Sequence, residues 1–290
     1  MAIIGMNTDY FKRIRFNFTG KTPIMTKIIF KDNVPHVTIP KGFTLSNKFT
    51  LSKTRTIPVV NLLQQGATNT KLAKNGKEYR TFGMSLAPHK LSGYNTCAGS
   101  TPECRAACLD GSGLRAVWEN IHIGKIARTL LYFEHRQWFM NRLDREIDNK
   151  EKNNDIKLAI RLNVVTDLNF LSVINNHPLT SFYDYTKIVK RFKVIPNNYH
   201  LTFSYTGNTK NIANCRTLLK SGHNIAVVFA GATRKLTVLP ETFLGHPVIN
   251  GDESDLRIND PAGSVVGLVL KADTTAHYNE YKQGRFVVSV

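Results

Sequence analysis

The sequence predicts an α/β protein. A partial or full parallel (β/α) barrel is expected over residues 76–290, preceded by a basic, β-rich segment over residues 1–75. Three observations predict it. After Leu158 short apolar runs recur with starts about 20 residues apart, the room needed by a strand, a short helix and two loops. Helical spacing fills the intervals, and strand–helix repetition argues a parallel sheet. Of the 290 residues, 42% are hydrophobic and 21% charged. That is the composition of a folded chain, too apolar for disorder and too poor in Gly and Pro for a fibre. The length suits one main domain with an appendage.

The elements follow in chain order. Ile14-Arg15-Phe16-Asn17-Phe18 alternates with the period of a strand. Lys27–Phe30 and Val34–Ile39 flank Lys31-Asp32-Asn33, a hairpin turn, and Pro35 assigns the second run to a sheet edge. The polar stretch Gln64–Gly76 reads as a loop. Strands are expected at Arg80–Leu86, Leu158–Val164, Ser181–Tyr185, His200–Tyr205, Asn224–Phe229, Pro247–Asn250 and Val265–Leu270. Between the first two lies one long helix, about Leu114 to Ile147, carried by Ile123, Ile126, Leu130, Phe133, Met140, Leu143 and Ile147. Its basic residues Arg115, Lys125, Arg128, Arg136, Arg142 and Arg145 read mostly as a solvated face. Ile188–Phe192 and Asn211–Gly222 suit helices, the second closed by Gly222.

Charge narrows the partners. There are 39 Lys+Arg against 21 Asp+Glu, a net charge of +18. Residues 1–80 hold 14 basic and 3 acidic residues, or +11; the remaining 25 and 18 give +7. Such an excess concentrates a protein around polyanions. Nucleic acid is therefore the expected partner, met through the basic N-terminal segment. No apolar run approaches the roughly 18 residues of a membrane helix, so no membrane is expected. The N-terminus has no apolar core before a small-residue cleavage site, so a cytoplasmic location is expected.

Cys97, Cys104 and Cys108 form the strongest local motif, spaced C-x6-C-x3-C in a loop after a strand and before a helix. Four cysteines in a chain of this length do not make a disulfide framework. Thiolates are soft ligands for iron–sulfur clusters or zinc. Three of them with no fourth nearby suit a cluster with one open iron. Adding Cys215 would complete a closed four-thiolate zinc site. A third reading packs Cys104 and Cys108, at i and i+4, on a helix start with no metal.

A second set of candidates lies at strand ends, the active face of parallel α/β architectures. Asp167, Asp184, Lys187, Asp252 and Asp255 are candidate catalytic groups, and Asn163 and Ser204 candidate cofactor-binding groups. Acidic residues there could instead hold magnesium in a nuclease. Phosphate-binding G-x-x-x-x-G-K-[ST], dinucleotide G-x-G-x-x-G, H-E-x-x-H and G-x-S-x-G patterns are absent, which removes sequence support for ATPase, dehydrogenase, zincin and esterase readings.

Met84-Ser85-Leu86-Ala87-Pro88, Leu91-Ser92-Gly93, the three-cysteine loop, Arg161-Leu162-Asn163, Phe182–Lys187 and Gly251-Asp252 together resemble the "gene product eighty-eight" group of phage and plasmid proteins, over about residues 60–272. That group is in turn similar to radical S-adenosylmethionine proteins, which have a TIM-barrel-like partial barrel. The resemblance implies a four-iron, four-sulfur cluster on Cys97, Cys104 and Cys108, with S-adenosylmethionine on its open iron. It implies cofactor or substrate contacts from Asn163, Asp167, Asp184 and Ser204, and a home in the cytoplasm of an infected or plasmid-bearing bacterium. The cysteine spacing departs from the usual C-x3-C-x2-C, and Ala107 stands where an aromatic precedes the last cysteine. The leading expectation is an iron–sulfur enzyme acting on or near nucleic acid. The alternatives are a non-enzymatic nucleic-acid binder with a structural cysteine or zinc clasp, and a magnesium-dependent nuclease using Asp184, Asp252 and Asp255.

Overall fold

The structure, a computed structural model, describes residues 26–46, 49–65, 78–108 and 118–290. The expected strand at 14–18 and most of the expected loop at 64–76 lie outside the described residues. Chain order gives an N-terminal group of short strands: β1 (Lys27–Lys31), β2 (Val34–Ile39), β3 (Thr44–Ser46), β4 (Phe49–Thr50), β5 (Arg55–Pro58) and β6 (Gln64–Gln65). The β1–β2 hairpin forms as expected, with Asp32 and Asn33 both at positive φ (48° and 62°). A two-residue turn matched to strand twist requires that conformation, and Asp and Asn tolerate it. Pro35 does not mark an edge. β2 is the middle strand of β1-β2-β5, and Pro35 is tolerated because it sits at the strand's beginning.

The main sheet is built from β7 (Tyr79–Gly83), β8 (Lys157–Arg161), β9 (Ser181–Thr186), β10 (Tyr199–Ser204), β11 (Asn224–Ala230), β12 (Thr242–Phe243), β13 (His246–Asn250) and β14 (Val265–Val269), with β6 at one end. Its order is β12-β13-β14-β11-β10-β9-β8-β7-β6. Strands β7 to β11 and β14 are parallel neighbours in sequence order. From β7 to β11 the winding keeps one direction; it turns back once, because β13 lies outside β14 and the chain returns to set β14 between β13 and β11. The expected full barrel does not close: both ends of the path finish in antiparallel two-residue strands, β6 on β7 and β12 on β13.

One face of the sheet is covered by helices. They are α2 (Glu119–Glu134), α3 (Arg136–Lys152), α4 (Leu171–Asn176) and α5 (Thr209–Lys220), while α1 (Pro102–Ala106) belongs to the cysteine loop and α6 (Thr275–Lys282) packs by Ala230 and Leu270 at the strand ends. Strand side chains alternate between faces. Leu158, Ile160 and Phe182 pack in one cluster with Ile123, Leu130, Phe139, Leu143 and Ile147 of α2 and α3. Phe203, Ile225, Val227 and Phe229 pack with Cys215, Leu218 and Leu219 of α5. The opposite face carries Tyr79, Ala159 and Tyr183, which meet Leu256 and Ile258 from the loop after β13. The N-terminal sheet belongs to the first cluster through Val37, Ile39, Phe43, Leu45 and Leu51. Buried Glu146 clamps the same segment, accepting from the Leu62 and Leu63 amides (2.9 Å each) and from Arg142 Nε (2.9 Å). Those partners offset a desolvation cost of several kcal/mol.

The expected long helix is two helices broken at His135 (φ −130°, ψ 49°). Phe30 packs edge-on against His135 and Trp138, with centroids at 5.1 and 5.7 Å. The expected solvated basic face is only partly so. Lys125 and Arg128 are buried, and Arg128 Nε donates to Ser85 O (3.0 Å). Residues 189–193 form a 3₁₀ turn rather than an α-helix. α5 ends as expected, with Gly222 at φ +81°. No helix among the described residues is long and apolar enough to cross a membrane.

The C-terminal strand β15 (Val287–Ser289) lies parallel to β11 at Val228–Ala230. β14 occupies the other edge of β11, and β10 pairs only with its first residues, Asn224–Ala226. β15 therefore fills the gap where β10 and β11 diverge. Gly207 makes the insertion possible: it sits at φ +75°, and a Cβ there would lie 1.8 Å from Arg285 O.

Candidate functional site

The helix-free face and the C-terminal strand ends enclose a cavity of about 280 Å³. Strand register dictates its floor. Ser204 pairs with Ala226, Ala226 with Val266, and Val228 with Leu268, so these side chains share a face. Arg161 and Tyr185 sit on the same side, and the Arg161 guanidinium lies 4.7 Å from the Tyr185 ring centroid. The rim is formed by His89, Ser100, Arg105, Asp167, Lys187, Lys271 and Phe286.

The cysteine loop hangs over this cavity, held by specific hydrogen bonds. Thr96 Oγ1 donates to Ala87 O (2.7 Å), and the Asp167 amide donates to Thr96 O (2.8 Å). The His89 amide donates to Cys97 Sγ (3.3 Å), while Cys97 Sγ–H donates to Val165 O (3.6 Å). Thr101 caps α1 by accepting from the Cys104 amide (3.2 Å), with Pro102 at the first helical position. Gly99 is required because a Cβ would lie 2.7 Å from Lys187 Cβ. Each of the four cysteines is a thiol rather than half of a disulfide. Cys97, Cys104 and Cys108 all line the cavity and are partly buried. Burial raises the Cys97 pKa, with the His89 amide pulling the other way. A bound metal would displace that proton.

The donor set discriminates between metals. Cys215 cannot be the fourth zinc ligand: it is fully buried under α5 in the second core cluster, and burial pushes its thiol up to about 12. A mononuclear zinc site with bonds of about 2.3 Å holds its sulfurs roughly 3.8 Å apart. The three cavity thiols are not all within 4.8 Å of one another. A multi-iron cluster binds each thiolate to a different iron, so its ligands stand farther apart. Among the described residues the cysteines therefore do not make a closed four-thiolate zinc clasp.

The strand-end candidates divide sharply. Asp184 is buried on the helix side of the sheet, away from the cavity. It accepts from the Asn163 amide (2.7 Å), Asn163 Nδ2 (3.1 Å) and Tyr199 OH (3.0 Å). Burial raises its pKa to about 6, against Arg161 and these hydrogen bonds. Asn163 lines the cavity, but its Oδ1 accepts from Thr166 Oγ1 and the Leu168 amide. Asp167 accepts from Thr186 Oγ1 and the Lys187 amide (2.9 Å each) and pairs with Arg191 (3.1 Å). It is the tie between the cysteine loop and β9. Asp255 binds Arg161 Nη1 through both oxygens (2.8 Å). Burial alone would lower the Arg161 pKa; Asp255 outweighs it and holds the guanidinium charged. Asp252 accepts from the Val269 amide (2.8 Å) and Lys271 Nζ (2.6 Å), and does not line the cavity. Asp184, Asp252 and Asp255 are therefore not gathered as magnesium ligands, because each serves a separate structural partner. Lys187 and Ser204 line the cavity with side-chain polar atoms that make no hydrogen bond among the described residues.

The model of a family described as gene product 88 matches residues 61–285. The chain belongs to the gene product 88 family. No curated protein and no solved structure matches it. The match contains all three cavity cysteines and, apart from Phe286, every residue lining the cavity.

In this gene product 88 chain the site also uses residues that sequence reasoning did not single out as functional. Arg161 and Tyr185 end inward-facing positions of β8 and β9, which period-two counting from Ala159 and Tyr183 could have found. His89, held at φ 41°, and Phe286, delivered by β15, have no local sequence signal.

Proposed function

We propose that this gene product 88 protein is an iron–sulfur enzyme of radical S-adenosylmethionine type that acts on or near nucleic acid. One observation carries the reading: the three cysteine thiols all line one cavity at the C-terminal edge of the parallel strands. Five successive parallel strands, β7 to β11, wound in one direction support the reading, and C-terminal strand ends are where parallel α/β folds place chemistry. Cys97, Cys104 and Cys108 would hold a four-iron, four-sulfur cluster, leaving one iron without a protein ligand. Bound there, the cluster supplies the electron for reductive cleavage of the S-adenosylmethionine sulfonium.

The chain's own groups bind, orient and exclude water. Lys187 and Ser204 offer a cation and a hydroxyl to the ligand's polar groups. Arg161, kept charged by Asp255 and laid over Tyr185, presents a fixed flat surface. Val228, Leu268, Leu270 and Phe286 form an apolar wall that keeps out water. Asp167 keeps the cysteine loop registered on β9. A cavity of about 280 Å³ takes a small molecule and no duplex. Nucleic acid would instead meet the basic exterior, where Lys27, Lys31, Lys41 and Lys53 are exposed on the N-terminal strands and turns.

Electron paramagnetic resonance tests the reading. The anaerobically reconstituted, dithionite-reduced protein is expected to give a cluster signal that changes when S-adenosylmethionine is added. A signal unmoved by the cofactor would refute the proposal.

A further inference from the structure

We propose that Asp148, Glu151 and His177 form a binding site for one zinc ion, with no residue in common with the cysteine cavity. Among the described residues, this group brings His, Asp and Glu ligand atoms within 4.8 Å of one another. Asp148 and Glu151 lie at i and i+3 on α3, hence on one helical face. His177 caps the C-terminus of α4. Its Nδ1 lies 3.3 Å from Glu151 Oε2 and 3.7 Å from Asp148 Oδ1. Zinc bonds of about 2.0–2.2 Å in a tetrahedron put ligand atoms roughly 3.3–3.6 Å apart, whereas octahedral magnesium brings them to about 3.0 Å. One imidazole with two carboxylates also suits zinc better than a hard cation.

The surroundings of His177 point to a missing positive charge. The residue is 2% exposed, and both ring nitrogens face carboxylates. Nε2 lies 3.3 Å from Asp144 Oδ1. A neutral imidazole donates one N–H only. Three carboxylates thus face one imidazole, and a cation between Nδ1 and the oxygens of Glu151 and Asp148 would offset more negative charge than the ring alone can. A carboxylate behind a metal-bound histidine also fixes its tautomer and orientation. Glu151 is oriented in turn, because Thr180 Oγ1 donates to its other oxygen (2.6 Å). Asn198 Nδ2 donates to His177 O (2.9 Å) and Thr180 O (3.1 Å), fixing the backbone of the corner. The half-exposed Asp148 leaves the fourth position open to water. The ion would staple α3 to the corner between α4 and β9.

Zinc is titrated into the full chain carrying Cys97→Ser, Cys104→Ser and Cys108→Ser, so that sulfur cannot compete. Circular dichroism checks the fold, and iodoacetamide-treated wild type replaces this chain if it does not fold. One zinc per chain is expected, with a raised melting temperature. Asp148→Asn, at a half-exposed position, is expected to weaken binding at least tenfold and remove the thermal shift. A folded chain that binds no zinc, or an Asp148→Asn chain that binds it equally well, would overturn the site. Neither outcome bears on the cysteine cavity.

Discussion

Asp184 gives a prediction whose size can be worked from the structure. Its carboxylate is fully buried, and burial outweighs three hydrogen bonds and the nearby Arg161, raising its pKa from 3.8 to about 6. The folded state therefore holds a proton that the unfolded state has lost. Stability from this group is complete below about pH 4 and falls as pH rises through 6. The difference of about 2 pKa units corresponds to about 3 kcal/mol. Asp184→Asn removes the titration but also exchanges hydrogen bonds, which adds a constant of either sign. That constant cancels when variant and wild type are compared at two pH values, and so does the titration of Asp260, also raised to about 6. Urea unfolding at pH 4 and pH 7 should show the variant gaining about 2 kcal/mol on wild type at the higher pH, since part of the effect is already spent at pH 4. A gain below about 0.5 kcal/mol would refute the assignment of a strained, buried charge at this position.

Other perturbations address other parts of the account. Asp255→Ala leaves the Arg161 guanidinium uncompensated and should cost about 3 kcal/mol in urea unfolding; a loss under 1 kcal/mol would mean that solvent in the cavity replaces the carboxylate. Gly207→Ala forces a Cβ onto Arg285 O and should destabilise by at least about 1–2 kcal/mol. Hydrogen exchange should rise at Val287–Ser289 and not in β7–β9; unchanged β15 amides would contradict the insertion described. Native-state iodoacetamide labelling read by mass spectrometry should modify Cys104 and Cys108 first, Cys97 more slowly, and Cys215 only after unfolding. Early labelling of Cys215 would contradict its place in the core.

Much of the sheet was legible in the sequence. The runs that became β8 to β11, β13 and β14 are apolar, bounded by turn residues and evenly spaced, so local pattern and tertiary structure agree. The end of α5 was legible because Gly222 supplies the positive φ its C′ position needs. The break at His135 was not, since it arises from packing against Phe30, distant in sequence, with no Gly or Pro to announce it. The open ends of the sheet were equally hidden, because two-residue strands such as β6 and β12 have no periodicity to read. The site was half legible. Cysteine spacing placed three thiols in one loop, and strand-end logic named Lys187 and Ser204, which line the same cavity. The same logic could not separate the carboxylates: Asp167 and Asp255 line the cavity while Asp184 and Asp252 do not, although all four look alike in sequence. Alternation along β9 puts Asp184 on the side of Phe182, and helical spacing puts Cys215 in line with Leu218 and Leu219. Both exclusions were readable from periodicity alone.

The account rests on Cys97, Cys104 and Cys108 sharing a single inorganic centre. Iron and sulfide content after anaerobic reconstitution tests this most directly, in wild type and in the four single Cys→Ser variants. One cluster per chain is predicted for wild type and Cys215→Ser, with most of the iron lost from the other three variants. Iron-free wild type, or equal iron in all five proteins, would contradict it.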